Sequence, residues 1–319
     1  MLTRRFLRIK VLQALYAYFE SGEQVIANGM KELLESIDKL HELFVWQLSF
    51  LVETKRFAEN KISDKKNKFL PTEEDLNPNM RYVNNRVIAA IENNKDFCRT
   101  EAALKINWGD SQDVVKNYYN IMIKSKEYDA YMNAKTDSFG QDKKFIVDML
   151  TSYFSDLEVL QDFYEDKSIY FCDDYYLVLS LLIKFFTEMK KLDVDDKLPS
   201  IYKRDGIDPN ADEDFVKNLF RETINHADEL GRLVADNTNN WEKERICVMD
   251  MLILKMALAE LLYFPFVPVK VTMNEYIEIS KYFSTPKSKV FVNGIIDRIY
   301  KKLSEDGKII KRGIGLLGN

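Results

Sequence analysis

The stretch from Val267 to Asp297, VPVKVTMNEYIEISKYFSTPKSKVFVNGIID, constrains the fold more than any other part of the chain, because it contains two helix signals and one tight junction. Thr272 is followed three residues later by Glu275. This is the spacing of a capping box, in which two side chains satisfy backbone N–H groups at a helix start. Thr285 and Pro286 predict the junction, since threonine favours the N-cap and proline the first helical position. The stretch therefore predicts two consecutive helices.

The second of these helices has an aromatic residue at the edge of its apolar stripe. The stripe consists of residues at helical spacing: Val292, Ile295, Ile296, Ile299 and Leu303. Phe291 falls on the flank of the stripe with Lys287 and Arg298. A ring between cations at the rim of a core is typical of a surface that stacks on RNA bases beside phosphate contacts. A core-edge phenylalanine with solvated lysines is the alternative interpretation.

The composition favours helices throughout the chain. The 319 residues include only 11 glycines and 7 prolines, with long runs of helical periodicity between them. No stretch alternates convincingly between apolar and polar residues, as a half-buried strand would. We therefore predict an all-α fold, and the length allows one to three domains.

The sequence shows no catalytic, cofactor or metal site. The three cysteines are far apart, and the two histidines are distant from one another. Phosphate-binding, dinucleotide-binding and hydrolase motifs are absent. Glu260 lies on an apolar helix face without a second acid, histidine or metal ligand nearby, so we expect it to have a hydrogen-bonding role. We predict a non-enzymatic protein of the reducing cytoplasm, without a membrane span, since no apolar run approaches the roughly 20 residues required.

The charge distribution differs from the net charge. The chain carries −5 overall, yet residues 1–22 carry +3 and residues 281–319 carry +6. Two basic ends around an acidic middle can form a local polyanion site if the ends meet in the fold.

The basic residues of the first helix are placed where a helix disfavours them. We predict that this helix starts at Thr3, which puts Arg4, Arg5 and Arg8 in its first turns. Cations there face the positive end of the helix dipole, at a cost of about 0.3–1 kcal/mol each. A phosphate partner would explain these arginines, and a solvated basic terminus is the alternative.

Residues 23–211 form a separate helical region. The dense aromatic residues in its last two helices predict helix–helix packing, and Lys190 to Asp214 is predicted as a linker. Beyond it, Phe215 to Asn237 is predicted as one helix, and Asn240 as the N-cap of the next. The predicted helices of the region lie near 30–58, 81–95, 111–133, 142–165 and 169–190.

Three segments, in this order along the chain, resemble the NusB family of bacterial transcription antitermination factors. RRFLRIKVLQALY (Arg4 to Tyr16) resembles its arginine-rich first helix, DMLILKMALAEL (Asp250 to Leu261) resembles a later helix, and VPVKVTMNEYIEISKYF…FVNGIID resembles its C-terminal signature. The resemblance implies two helical subdomains. It predicts a first helix at 1–22, a helical insertion at 23–211, and the remainder of the NusB-like domain at 212–319.

The resemblance also implies a function. Family members bind boxA leader RNA together with NusE, a small-subunit ribosomal protein, and help RNA polymerase to read through terminators. Phe6 stands where the family has another arginine, and Lys287 stands where an acid is expected, so RNA specificity is expected to differ. A protein-only helical adaptor that binds through the insertion is the competing hypothesis. The expected RNA contacts are Arg4, Arg5, Arg8, Lys287 and Phe291, and the expected NusE contacts are Tyr16 and Asp250.

Overall fold

The computed structural model describes residues 3–202, 208, 210–238 and 246–316. These residues form fifteen α-helices and no strand, which confirms the all-α prediction. The helices are α1 (Arg4–Glu20), α2 (Ile26–Lys66), α3 (Glu73–Leu76), α4 (Arg86–Glu92), α5 (Lys95–Ala103), α6 (Gln112–Met122), α7 (Lys126–Met132), α8 (Phe139–Tyr153), α9 (Glu158–Lys167), α10 (Ile169–Glu188), α11 (Ala211–Asn225), α12 (Ala227–Asp236), α13 (Val248–Tyr263), α14 (Val269–Phe283) and α15 (Ser288–Glu305).

The chain divides into two compact units. The first unit comprises Met1–Ile37 and Tyr202–Asn319, and the second comprises Asp38–Ile201. The boundary between residues 37 and 38 lies within α2.

Helix α13 is the centre of the first unit and contacts α1, α11, α12, α14 and α15. It is apolar on nearly all sides, as a helix surrounded by others must be. Ile253, Leu254 and Met256 are fully buried, and each such side chain contributes about 1.5–3 kcal/mol of transfer free energy. Helix α1 thus packs onto helices that follow it by more than 190 residues, so the condition set by the charge distribution, that the two ends of the chain meet in the fold, is fulfilled.

The C-terminal segment covers the end of α13. The ammonium of Lys311 donates to the carbonyls of Phe264 at 3.0 Å and Glu260 at 3.4 Å, which caps the helix C-terminus. Gly315 then passes so close to the loop after α13 that an added Cβ would lie 2.0 Å from the carbonyl oxygen of Pro265. A glycine is therefore required at this contact.

The second unit has an aromatic core. Trp108 stacks on Phe163 with ring centroids 4.7 Å apart, and Trp46 meets both rings edge-on. Phe171 and Tyr175 of α10 are also buried. The aromatic residues of this region therefore pack helices together, as predicted, and such ring pairs contribute about 0.5–1.5 kcal/mol beyond area burial.

The capping box predicted at Thr272 and Glu275 is wrong. Helix α14 begins at Val269 with Pro268 at its N-cap, so Thr272 lies inside the helix and is fully buried. Its hydroxyl donates to Glu260 at 2.8 Å, and Glu275 binds Arg5 instead. Both side chains that suggested a local cap make tertiary contacts.

Other predicted boundaries shift for local reasons. Helix α15 begins at Ser288, because Pro286 and Lys287 form a turn before it. The helix predicted from Phe215 to Asn237 is interrupted at His226, which separates α11 from α12. The predicted cap Asn240 lies outside the described residues.

Candidate nucleic-acid interface

Arg4 and Arg5 lie in the first turn of α1, and each is paired with a carboxylate. Arg4 Nε donates to Asp212 at 2.9 Å, whereas Arg5 forms a two-pronged pair with Glu275 at 2.8 and 2.9 Å. Hydrogen bonding to Glu275 raises the pKa of Arg5. Both arginine side chains are 41% exposed, so they are held in place and still accessible to an anion.

Arg8 has a different environment. Its guanidinium donates to both oxygens of Glu260 at 2.7 Å, and the two side chains are only 2% and 0% exposed. Thr272 and Tyr276 also donate to this carboxylate, at 2.8 and 3.1 Å. Burial opposes the charge of Arg8, but the charge and hydrogen bonds of Glu260 raise its pKa overall. This arrangement gives Arg8 a structural role and confirms the hydrogen-bonding role predicted for Glu260.

Helix α14 connects the arginines of α1 to the start of α15. The pKa of Glu278 is lowered by its hydrogen bond to Lys281 and also by the charges of Arg5 and Lys289. Arg5 of α1, Lys281 of α14 and Lys289 of α15 therefore lie near one carboxylate of the first unit. We call this surface the basic surface and define it as these three cations together with Arg4 and Lys287, which lie within two residues of them in the chain.

Two aromatic rings accompany the basic surface. Phe291, predicted from the sequence, is half-buried one turn after Lys287. Tyr282 is 77% exposed and directly follows Lys281 in α14. Sequence reasoning missed Tyr282, although its position outside the apolar face of α14 was a usable signal.

A cleft of about 510 Å³ opens beside the arginines of α1. Its apolar wall includes Phe266 and Val271, which are 60% and 42% exposed. Arg5 and Glu275 form part of its polar wall. The cleft thus places an exposed aromatic ring close to a cation.

Tyr16 lies at a separate groove of about 360 Å³, formed by α1 and the start of α13. Tyr16 is 41% exposed and Val248 is 58% exposed, so the groove has an accessible apolar lining. We call it the Tyr16 groove. It is lined by Tyr16, Phe19, Glu20, Ile246, Val248, Met251, Leu252 and Lys255.

Asp250 does not line the Tyr16 groove. It is 6% exposed, and its Oδ2 accepts a hydrogen bond of 2.7 Å from Ser288 at the start of α15. Its other oxygen is buried and has no hydrogen-bond partner among the described residues. Of the two predicted partner contacts, Tyr16 therefore lines the groove and Asp250 does not.

Among the described residues, no cluster of histidine, cysteine, aspartate and glutamate side chains could hold a metal ion. No helix in the described part of the chain is long and apolar enough to cross a membrane.

Comparisons with a family model and with individual known proteins all point to the same family. The model of the NusB family matches residues 176–301. The chain is 45% identical over 111 residues to a protein named transcription antitermination protein NusB from Salinibacter ruber, covering 35% of this chain and 69% of that protein.

Proteins of the same name from two other bacteria are also similar. The Chloroherpeton thalassium protein is 34% identical over 139 residues, 44% of this chain and 66% of that protein. The Desulfatibacillum aliphaticivorans protein is 38% identical over 98 residues, 31% of this chain and 68% of that protein. No solved structure matches the chain significantly. The relatives carry the name of a transcription factor and not of an enzyme, in agreement with the prediction from the missing catalytic motifs.

Proposed function

This chain belongs to the NusB family, and we propose that it is an RNA-binding transcription antitermination factor of the cytoplasm. It acts on boxA-type leader RNA together with NusE, in a complex with RNA polymerase. The observation that carries this proposal is the basic surface, where cations from α1, α14 and α15 accompany the rings of Tyr282 and Phe291.

The basic surface suits a single-stranded RNA. Arginines and lysines bind phosphates and thereby set affinity and its salt dependence. Exposed rings stack on unpaired bases, which a double helix would hide. Because Asp212 and Glu275 already hold Arg4 and Arg5, a phosphate must compete with these carboxylates. Arg8 is not included among the proposed contacts, since its guanidinium is buried against Glu260.

The Tyr16 groove is the proposed NusE surface. Its exposed apolar side chains would be covered by a protein partner, and aromatic residues such as Tyr16 are enriched at interface centres. Asp250 would act indirectly, by holding the start of α15 through Ser288.

The RNA site is tested by comparing Phe291→Ala with Arg5→Ala across a range of salt concentrations. Phe291→Ala should lose about 1–3 kcal/mol of RNA binding, the usual contribution of one base stack, with an unchanged salt slope. Arg5→Ala should flatten the slope by about 0.7, the value for one phosphate contact of a single strand. Binding is measured by fluorescence anisotropy with boxA-like and scrambled RNA.

Ile296→Ala is the matched control for Phe291→Ala. Ile296 is fully buried in the same helix, so its truncation should cost about 2–5 kcal/mol of stability without a direct effect on RNA. If Phe291→Ala melts the protein as severely as Ile296→Ala, or binds RNA as well as the parent, Phe291 belongs to the core and its stacking role is wrong.

The partner surface is tested by Tyr16→Ala. This variant should weaken NusE binding in calorimetry and leave RNA binding by the isolated protein unchanged. Asp250→Asn should weaken NusE binding less, because the Asp250 side chain is buried. Equal loss of NusE and RNA binding in Tyr16→Ala would show that the surfaces are not separate. NusE binding with no specific RNA binding by any form of the protein would favour the adaptor hypothesis.

A further inference from the structure

The two most exposed large apolar side chains among the described residues are neighbours in the second unit. Phe69 is 98% exposed and Leu70 is 81% exposed. They lie in the loop between α2 and α3, far from the basic surface in sequence. Neighbouring exposed apolar side chains of this size are often part of an interaction site.

Four lysines precede these two residues. The stretch KISDKKNKFL, from Lys61 to Leu70, contains a single acid, Asp64, and all four lysines are exposed. We call this stretch the lysine loop. Two of the lysines lie in the last turn of α2, where they also complement the helix dipole. The dipole does not account for the exposed phenylalanine and leucine.

The lysine loop is anchored at both ends. The backbone N–H of Asn67 donates to the carbonyl of Ser63 at 3.1 Å, which continues the helical turn. On the other side, Lys68 reaches Asp75 at 3.1 Å, and Asp75 forms a capping box with Thr72 at the start of α3. The fold therefore presents Phe69 from a defined turn.

We propose that the lysine loop is a second binding site for single-stranded RNA. Lys65 and Lys66 contact phosphates, and Phe69 stacks on an unpaired base, the same combination of groups that binds single strands in general. The inference rests on the proposed RNA-binding function and extends it to RNA longer than the boxA element.

The surroundings of the lysine loop favour a narrow polyanion over a membrane. Glu73 and Glu74 are exposed only a few residues after Leu70. A planar anionic membrane that met Phe69 and Leu70 would also meet these carboxylates, whereas a single strand can follow the lysines alone. Vesicle binding is therefore the competing outcome of the test.

The test uses the full chain and two RNAs. One carries only a boxA-like element, and the other extends it on both sides with unstructured sequence. Phe69→Ala should weaken binding of the longer RNA about 5- to 150-fold, the range for loss of one base stack, and leave the short RNA unaffected. The double variant Lys65→Ala, Lys66→Ala should lower the salt slope for the longer RNA by about 1.4, the value for two phosphates.

Ile169→Ala is the matched control, because Ile169 is an 80% exposed apolar residue of the same unit and has only one lysine, Lys167, within five residues of it in the sequence. It should not change binding of either RNA. If the Phe69 and lysine variants bind the longer RNA as the parent does, the proposal is overturned. It is also overturned if Phe69→Ala instead abolishes flotation with phosphatidylserine vesicles while RNA binding persists.

The two proposals can fail separately. If the parent binds the short RNA and Arg5→Ala weakens that binding, the basic surface is supported whatever the lysine loop does. If the parent binds neither RNA, the proposed function itself is wrong, and the inference about the lysine loop is wrong with it.

Discussion

The pair of Arg8 and Glu260 allows a sharp test of how this fold is stabilised. Replacing Glu260 by glutamine keeps the size of the side chain but removes its charge. It also turns one oxygen acceptor into an amide donor, which in either orientation faces an N–H donor of Arg8 and the hydroxyl of Thr272 or Tyr276. The variant therefore leaves a buried cation without its counter-charge.

The expected magnitude follows from the burial of the pair. Removing one partner of a buried, hydrogen-bonded ion pair costs about 3–5 kcal/mol, because the remaining charge is desolvated. Both prongs of this pair measure 2.7 Å, and the two side chains are 2% and 0% exposed, so water cannot replace the lost carboxylate without a rearrangement. We expect Glu260→Gln to lower the free energy of unfolding of the first unit by that amount.

The chain offers a control with the same geometry. Arg5 and Glu275 also form a two-pronged pair between α1 and a helix of the C-terminal part, but their side chains are 41% and 19% exposed. Ion pairs near the surface contribute about 0–1 kcal/mol. Glu275→Gln should therefore change stability by no more than that.

The measurement must report on the first unit by itself. Denaturant titration gives the global free energy, and hydrogen exchange of α13 peptides gives the opening free energy at the site of the pair. The double variant Arg8→Met, Glu260→Gln should recover most of the loss, because neither charge is then buried alone. If Glu260→Gln costs no more than Glu275→Gln, the reasoning about this pair is refuted.

Two further predictions concern the C-terminal segment. Gly315→Ala should lower the free energy of unfolding by about 1–3 kcal/mol and speed hydrogen exchange in residues 308–316, because the added Cβ would collide with the Pro265 carbonyl. Its control is Gly294→Ala in α15, where the added Cβ meets open space. That variant should stabilise the helix by up to about 1 kcal/mol. Burial lowers the pKa of Lys311 from its ordinary value of 10.5 to about 8. Between pH 8 and 10.5 the unfolded chain binds more protons than the folded chain, so the free energy of unfolding should rise with pH by at most about 1.4 kcal/mol per pH unit. Denaturant titrations across this range measure the rise, and Lys311→Met should abolish it.

Sequence reasoning recognised correctly that Glu260 needs a partner, because this carboxylate lies on an apolar helix face. It could not identify that partner as Arg8, which precedes it by 252 residues. Periodicity shows which face of a helix is buried, but not which distant helix packs there. The same limit explains Thr272 and Glu275, whose spacing fits a local cap while their side chains serve α13 and α1.

The dipole argument for the arginines of α1 was incomplete for the same physical reason. A cation at a helix N-terminus costs about 0.3–1 kcal/mol, which is less than the 3–5 kcal/mol that is lost when one partner of a buried ion pair is removed. The fold itself therefore accounts for Arg8. Arg4 and Arg5 also have carboxylate partners, so a phosphate ligand is not required to explain their position.

The pairing of Arg4 and Arg5 changes what their proposed role requires. A free surface arginine would bind any polyanion, whereas an arginine held by Asp212 or Glu275 must exchange one anion for another. That exchange is favourable only where a phosphate is positioned by other contacts at the same time. On the basic surface, stacking of bases on Phe291 or Tyr282 would provide those contacts. In a chain with a net charge of −5, such an arrangement would favour a single-stranded RNA whose bases can stack on these rings over polyanions in general.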